Sequence, residues 1–133
     1  MVELIATLLI LALVMGIGSY TITGVLKRAK EKDYNLLIDN IKDSLESYYQ
    51  ECKYASNSGI TCNINANSFT TTLGTLVNYG FLKGNSTDSS EDSVLVNPND
   101  NRDISECEVK YTYNSGSISI EAVNPTGSCP TSY

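Results

Sequence analysis

The sequence predicts an α+β fold in which one long, bipartite N-terminal helix packs on a small antiparallel sheet. Three observations predict it. Residues Leu4 to Leu26 carry no charged side chain. From Tyr34 to Cys52, apolar residues recur at three- and four-residue steps. Val109, Tyr111 and Tyr113 then alternate with polar residues ahead of a turn and a second alternating run. Three- and four-residue steps put side chains on one face of a helix, and two-residue steps put them on one face of a strand.

The chain opens with Met1-Val-Glu-Leu-Ile5, and Glu3 is the one charge before Lys27. At ~1.5 Å per helical residue, Leu4–Leu26 extends ~35 Å, enough to cross a bilayer core. A signal peptide would open on lysine or arginine, yet here Lys27, Arg28, Lys30 and Lys32 follow the apolar run. Taken literally, that order puts the rest of the chain in the cytoplasm. Cys52, Cys62, Cys107 and Cys129, an even set in a small loop-rich region, point instead to disulfides and an oxidising compartment. A short basic leader, kept in the cytoplasm during insertion and then cleaved, reconciles the two. The first unit is thus 1–26, a hydrophobic helix, and the second is 27–133, an amphipathic helix with a globular domain.

Gly16-Ile-Gly-Ser-Tyr-Thr-Ile-Thr-Gly24 combines three glycines with β-branched residues, so a weak or meltable helical segment is expected there. Next come Tyr34, Leu37, Ile38, Ile41, Leu45, Tyr48, Tyr49 and Cys52, the stripe of an amphipathic helix that needs a partner. Lys53–Ser68 is rich in Asn, Ser and Thr and reads as an irregular loop. Thr70–Phe81, with Leu73, Leu76 and Val77 at helical spacing and Gly80 near its end, reads as a short second helix. Gly84–Ser93 reads as a polar, acidic loop and Val94-Leu-Val96 as a short strand. The hairpin follows, with Asn114-Ser-Gly116 as its turn and Ile118, Ile120 and Ala122 alternating on the return strand. The natural cover for its apolar face is the Tyr34–Cys52 stripe. Four cysteines permit three pairings: a Cys107–Cys129 link would fasten the C-terminal tail to the hairpin and leave Cys52 with Cys62, but spacing does not decide the connectivity.

Several function classes are disfavoured. A formal net charge of −6 argues against general nucleic-acid binding, which relies on clustered positive charge. The chain has no histidine and no Cys-x-x-Cys pair for a close-spaced zinc or redox site, although four scattered cysteines could still converge on zinc. No histidine can activate a serine or cysteine, no glycine loop cradles a phosphate, and neither an enzyme nor a cofactor is expected. Asn97-Pro-Asn-Asp-Asn-Arg-Asp103 sets Asn97, Asn99, Asn101 and Asp103 at alternate positions, a spacing that can surround calcium. It lacks the glycine and distal glutamate of a calcium loop, so an asparagine-rich turn is the better account. Asn85-Ser-Thr87 matches a glycosylation sequon, a signal that is frequent by chance.

Met-Val-Glu-Leu-Ile resembles the processed N-terminus of the type IV pilin family, and the bipartite helix with a small sheet resembles that family's architecture. The resemblance implies a subunit held first in the inner or cytoplasmic membrane and then polymerised with copies of itself into an extracellular pilus. Such filaments serve adhesion, motility or DNA uptake. It also implies a methylated terminus, a prepilin peptidase and an assembly platform. On this reading the assembly residues are Glu3, Leu4, Leu8, Leu11, Gly16, Gly18 and Gly24. Glu3 would pair with a neighbour's N-terminal amine and so guide subunit register.

Two departures stand out. The family's glutamate usually lies slightly further from the mature terminus, which suggests that the mature protein begins two residues before Met1. The proline that many members carry within the apolar segment is absent, and Gly16, Gly18 and Gly24 could substitute for it. The basic cluster could meet anionic lipid before assembly, or Glu31, Asp33, Asp39 and Asp43 of adjacent subunits afterwards. The alternatives are a pseudopilin of a type II secretion or competence machine, and a single-pass anchored module that binds through Ser56–Ser68 and Lys83–Ser93.

Overall fold

In a computed structural model of the chain, α1 (Val2–Tyr54) runs for 53 residues, a length of ~80 Å. The structure describes residues 1–54, 60, 62, 64, 65, 67–87 and 89–133, and the side chains of 16–22 within α1 lie outside that description. The backbone of α1 continues through Gly16–Gly24 without a break, so low propensity alone does not interrupt this helix. Among the described residues no helix is long and apolar enough to cross a membrane. The span expected over Leu4–Leu26 includes the side chains of 16–22, which are not among them.

Packing divides α1 at Tyr34. Every described side chain before it is exposed, whereas Leu37, Ile41, Leu45, Tyr48 and Tyr49 are buried on one face. This is the amphipathic segment read from the periodicity, and its partner is the sheet. β1 (Ser68–Thr72), α2 (Leu73–Asn78), β2 (Ser86–Thr87), β3 (Ser93–Val94), β4 (Glu108–Asn114) and β5 (Ser117–Val123) follow in order. The main sheet is antiparallel with strand order β1-β4-β5, and β2 and β3 form a separate two-stranded pair.

The hairpin expected around Asn114-Ser-Gly116 is β4–β5, with Val109 opposite Ala122 and Tyr111 opposite Ile120. Its two turn residues, Ser115 and Gly116, both have positive φ (42° and 95°), the backbone hand that matches the twist of the flanking strands. The core-facing alternation is Val109 and Tyr111, which are fully buried. Tyr49 and Phe69 each lie with ring centroids 5.1 Å from Tyr111, so helix, edge strand and central strand share one aromatic cluster.

Three sequence readings need correction. Thr70–Thr72 does not begin a helix but completes β1, where Phe69 pairs with Tyr111 and Thr71 with Val109. The run of threonines suits an extended edge, and its last member, Thr72, caps α2 by accepting a hydrogen bond from the Thr75 peptide N–H at 3.3 Å. Gly84–Ser93 is not wholly loop, since it contains β2. The strand expected over Val94–Val96 is β3 at Ser93–Val94, after which Val96 makes an isolated bridge to Asp103.

The glycine stop is present: Gly80 takes φ +80°, and the peptide N–H groups of Phe81 and Leu82 both return to the Leu76 carbonyl. That return brings Leu82 into the core and presents the Phe81 carbonyl to Ser44, whose hydroxyl bridges it (2.9 Å) to the Asn40 carbonyl (2.6 Å). A buried polar group is thereby satisfied while α1 is tied to the segment after α2. The disulfides are Cys52–Cys62 and Cys107–Cys129, each with Cα atoms 5.6 Å apart. The first ties the end of α1 to the connecting segment, and the second ties the tail to the start of β4.

Candidate assembly surface

The first fifteen residues of the chain contain two polar side chains, Glu3 and Thr7. Thr7 directs its hydroxyl back to its own helix, donating to the carbonyls of Glu3 (3.1 Å) and Leu4 (2.9 Å), and so asks nothing of its surroundings. The remaining positions present apolar surface all round the helix: Leu4 is 68% exposed, Leu8 64% and Leu11 53%. A helix apolar on every side buries itself in a membrane or among other helices. Once this surface is covered, Glu3 is the side chain of Met1–Met15 that needs a partner, because an unpaired carboxylate in apolar surroundings is costly.

The structure places Glu3, Leu4, Leu8 and Leu11, all exposed, on one arm of α1. Gly24 lies on the same arm, with open space where a Cβ would stand. The surroundings of Gly16 and Gly18 lie outside the described residues. The basic cluster Lys27, Arg28, Lys30 and Lys32 closes the arm, all four exposed, just before the helix meets the head. At that junction a groove of about 480 Å³ opens between helix and head. Lys30 and Asp33 line it from α1, Lys83 from the opposite wall, and Leu36, Val96 and Pro98 supply apolar surface. The sequence places Lys83 only at the start of a candidate binding loop; it lies 53 positions from Lys30, and only the fold draws the two to one groove.

The Asn97–Asp103 segment is a hydrogen-bonded turn. Asn97 Oδ1 accepts from the Asn99 peptide at 3.0 Å, and its Nδ2 donates to the Ser128 carbonyl at 2.8 Å. Asp100 accepts from the Arg102 peptide at 3.1 Å and from the Ser128 hydroxyl, and Asp103 accepts from the Ser105 peptide at 2.8 Å. Asn101 takes φ +57° and donates its N–H to the Asn97 carbonyl at 2.7 Å. These bonds engage Asn97 Oδ1 and one oxygen of Asp103 within the turn, and those to Ser128 fasten the tail to the head. The Ser128 hydroxyl holds the Asp100 carboxyl below its ordinary range, and Ser105 does the same for Asp103. Among the described residues no group of three or more acidic, cysteine or histidine side chains could hold a metal ion.

At Asn85 the side chain mimics a strand: Nδ2 donates to the Val96 carbonyl and Oδ1 accepts from the Val96 N–H, both at 2.8 Å. One of the two N–H groups of the sequon amide is therefore engaged. At the far end of α1, Lys53 donates to the Tyr49 hydroxyl at 2.8 Å and stands 5.2, 5.9 and 5.5 Å from the ring centroids of Tyr49, Tyr54 and Tyr113. The hydrogen bond to Tyr49 raises the Lys53 pKa above its ordinary value. The Tyr49–Lys53 spacing of four was visible in the sequence, but the contact with β4 was not. Of the loops proposed for an anchored binder, Ser56–Ser68 and Lys83–Ser93, residues 56–59, 61, 63, 66 and 88 lie outside the described residues.

In comparisons with protein-family models, curated proteins and solved structures, the chain matches none.

Proposed function

We propose that the chain is the structural subunit of a type IV pilus or a closely related pilin-like extracellular filament. The observation that carries this reading is the unequal use of α1. From Tyr34 onward its apolar stripe is covered by the chain's own sheet, whereas every described side chain of the arm before it is exposed. Lipid can cover that arm before assembly and the arms of other copies afterwards. Moving from lipid to a helical core loses little apolar burial compared with moving into water. The head, closed by two disulfides, supplies a water-facing exterior suited to an oxidising compartment.

Negative-stain microscopy of sheared surface material tests the reading, with the subunit identified by mass spectrometry and wild type compared with Glu3→Ala. The expected result is thin filaments of this chain in wild type and their loss or strong reduction in the variant. Wild-type cells that carry the protein in the membrane but shed no filaments would overturn it, in favour of a pseudopilin or an anchored binding module.

A further inference from the structure

The main sheet ends on β1 at one side and on β5, the longer strand, at the other. The β4–β5 hairpin is closed by a two-residue loop, Ser115-Gly116, so the flanking pair Asn114–Ser117 exchanges both of its backbone hydrogen bonds, and every second pair after it does the same. Ser117, Ser119, Glu121 and Val123 therefore turn their peptide groups to β4. Ile118, Ile120 and Ala122 turn theirs to the open side, where no backbone hydrogen bond among the described residues reaches them. The usual protections of such an edge are missing from Ser117–Val123: it runs for seven residues with no proline, no lysine and no break in its register with β4. Its core-facing side is open as well. Ile118 is 46% exposed, and with Ile120 and Tyr111 it lines a groove of about 290 Å³ between the strand and α1.

We infer that β5 of one copy pairs antiparallel with β5 of a second copy, centred on Ile120, and so joins the two sheets edge to edge. This register brings every outward peptide group into a bonded pair, with Ile120 facing Ile120 and Ile118 facing Ala122 in both directions. The side chains agree with it. On the core-facing side apolar residues meet apolar residues, and the second strand extends the floor of the groove that leaves Ile118 uncovered. On the other side Ser119 faces Glu121, a hydroxyl donor against a carboxylate, so the strand's one charge is not set against its own copy. Within its own sheet Glu121 lies opposite Lys110. An unrelated extended segment could use the same peptide groups, whereas the strand itself satisfies both faces, and this selects a second copy as the occupant. The contact is isologous and closes on a pair. It stands apart from the filament reading above. Its two-fold axis, roughly perpendicular to the sheet, reverses directions in the sheet plane, so the arms of the paired copies point opposite ways. Copies that all point one way within a filament cannot make this contact, and it would join neighbouring filaments instead.

Amide hydrogen exchange and isotope-filtered NMR of the full chain in detergent test the pairing. Between dilute and concentrated protein (about 1 mM), exchange of the Ile118, Ile120 and Ala122 amides should slow about fivefold, while the Ser119 and Glu121 amides, held by β4, stay slow throughout. A mixture of labelled and unlabelled chains should show a contact between the Ser119 Hα of one copy and the Glu121 Hα of another. Ile118→Pro withdraws an outward donor and leaves the β4 ladder whole, and Ile118→Lys keeps the backbone and sets a charge at the seam. Each should abolish the slowing at Ile120 and Ala122 and the contact between copies, with slow Ser119 and Glu121 amides showing that the sheet has formed. Outward amides that exchange fast at every concentration would overturn the pairing. So would association that survives both variants, in favour of contacts made by the arm. Protection without a Ser119–Glu121 contact between copies would overturn the register and place a different segment on the edge.

Discussion

The two halves of α1 share one backbone helix but bury their apolar side chains in different ways. In Tyr34–Tyr54 the apolar residues occupy one face, and Ile41 and Leu45 are fully buried against the sheet and α2. In the preceding arm, residues 1–15 carry apolar side chains on every face, and Leu4, Leu8 and Leu11 are more than half exposed. A stripe can be matched by one sheet, whereas an all-round apolar rod needs neighbours on all sides, which a head of this size cannot provide. The comparison teaches that identical secondary structure serves folding in one half and, on the proposed filament reading, external contact in the other.

Truncating one leucine in each half should separate these roles most sharply. Leu45→Ala should destabilise the head by about 2–5 kcal/mol in denaturant unfolding of the full chain in detergent, because it leaves a cavity among well-packed neighbours. Leu8→Ala should leave that unfolding within ~0.5 kcal/mol of wild type while lowering filament yield. Equal destabilisation by both changes would erase the distinction between the halves.

A smaller effect comes from the disulfides, both of which lie outside the apolar arm. Replacing Cys107 and Cys129 by serine removes a link spanning 22 positions and should cost the head about 3 kcal/mol, with slightly less for Cys52 and Cys62, whose link spans 10. The arm should stay helical by circular dichroism in detergent under the same reduction.

The smallest effect is a pH dependence confined to the head. Burial pushes the Tyr133 hydroxyl up to about 12, with Tyr34 nearby adding to the shift, and its oxygen has no hydrogen-bond partner among the described residues. The unfolded phenol ionises near 10, so the folded state holds its proton longer than the unfolded state does. The head's stability should therefore be intact below pH 10 and decline as pH rises from 10 towards 12. Tyr133→Phe should flatten part of that decline, which chemical denaturation across this window would read.

Much of this architecture could be read from the sequence, because it is written in local patterns. The Tyr34–Cys52 stripe, the alternation of Val109 and Tyr111, the Asn114-Ser-Gly116 turn and the glycine stop at Gly80 all depend on residues within a few positions of one another. The uncharged run ending at Lys27 and the isolation of Glu3 are likewise properties of order alone, and from them came the expectation of a surface that seeks other copies or lipid.

Only the tertiary structure decided the rest. Thr70–Thr72 became an edge strand because β4, 36 or more positions away, offered its hydrogen-bonding edge, and that gain outweighed the helical spacing around it. The cysteine pairing followed from which segments the core brought within bridging distance. Lys83 joined Lys30 because the Gly80 turn folds the chain after α2 back against α1. In each case the deciding contact joins residues far apart in the chain, and its energy comes from burial and hydrogen bonds that exist only once the whole domain has closed.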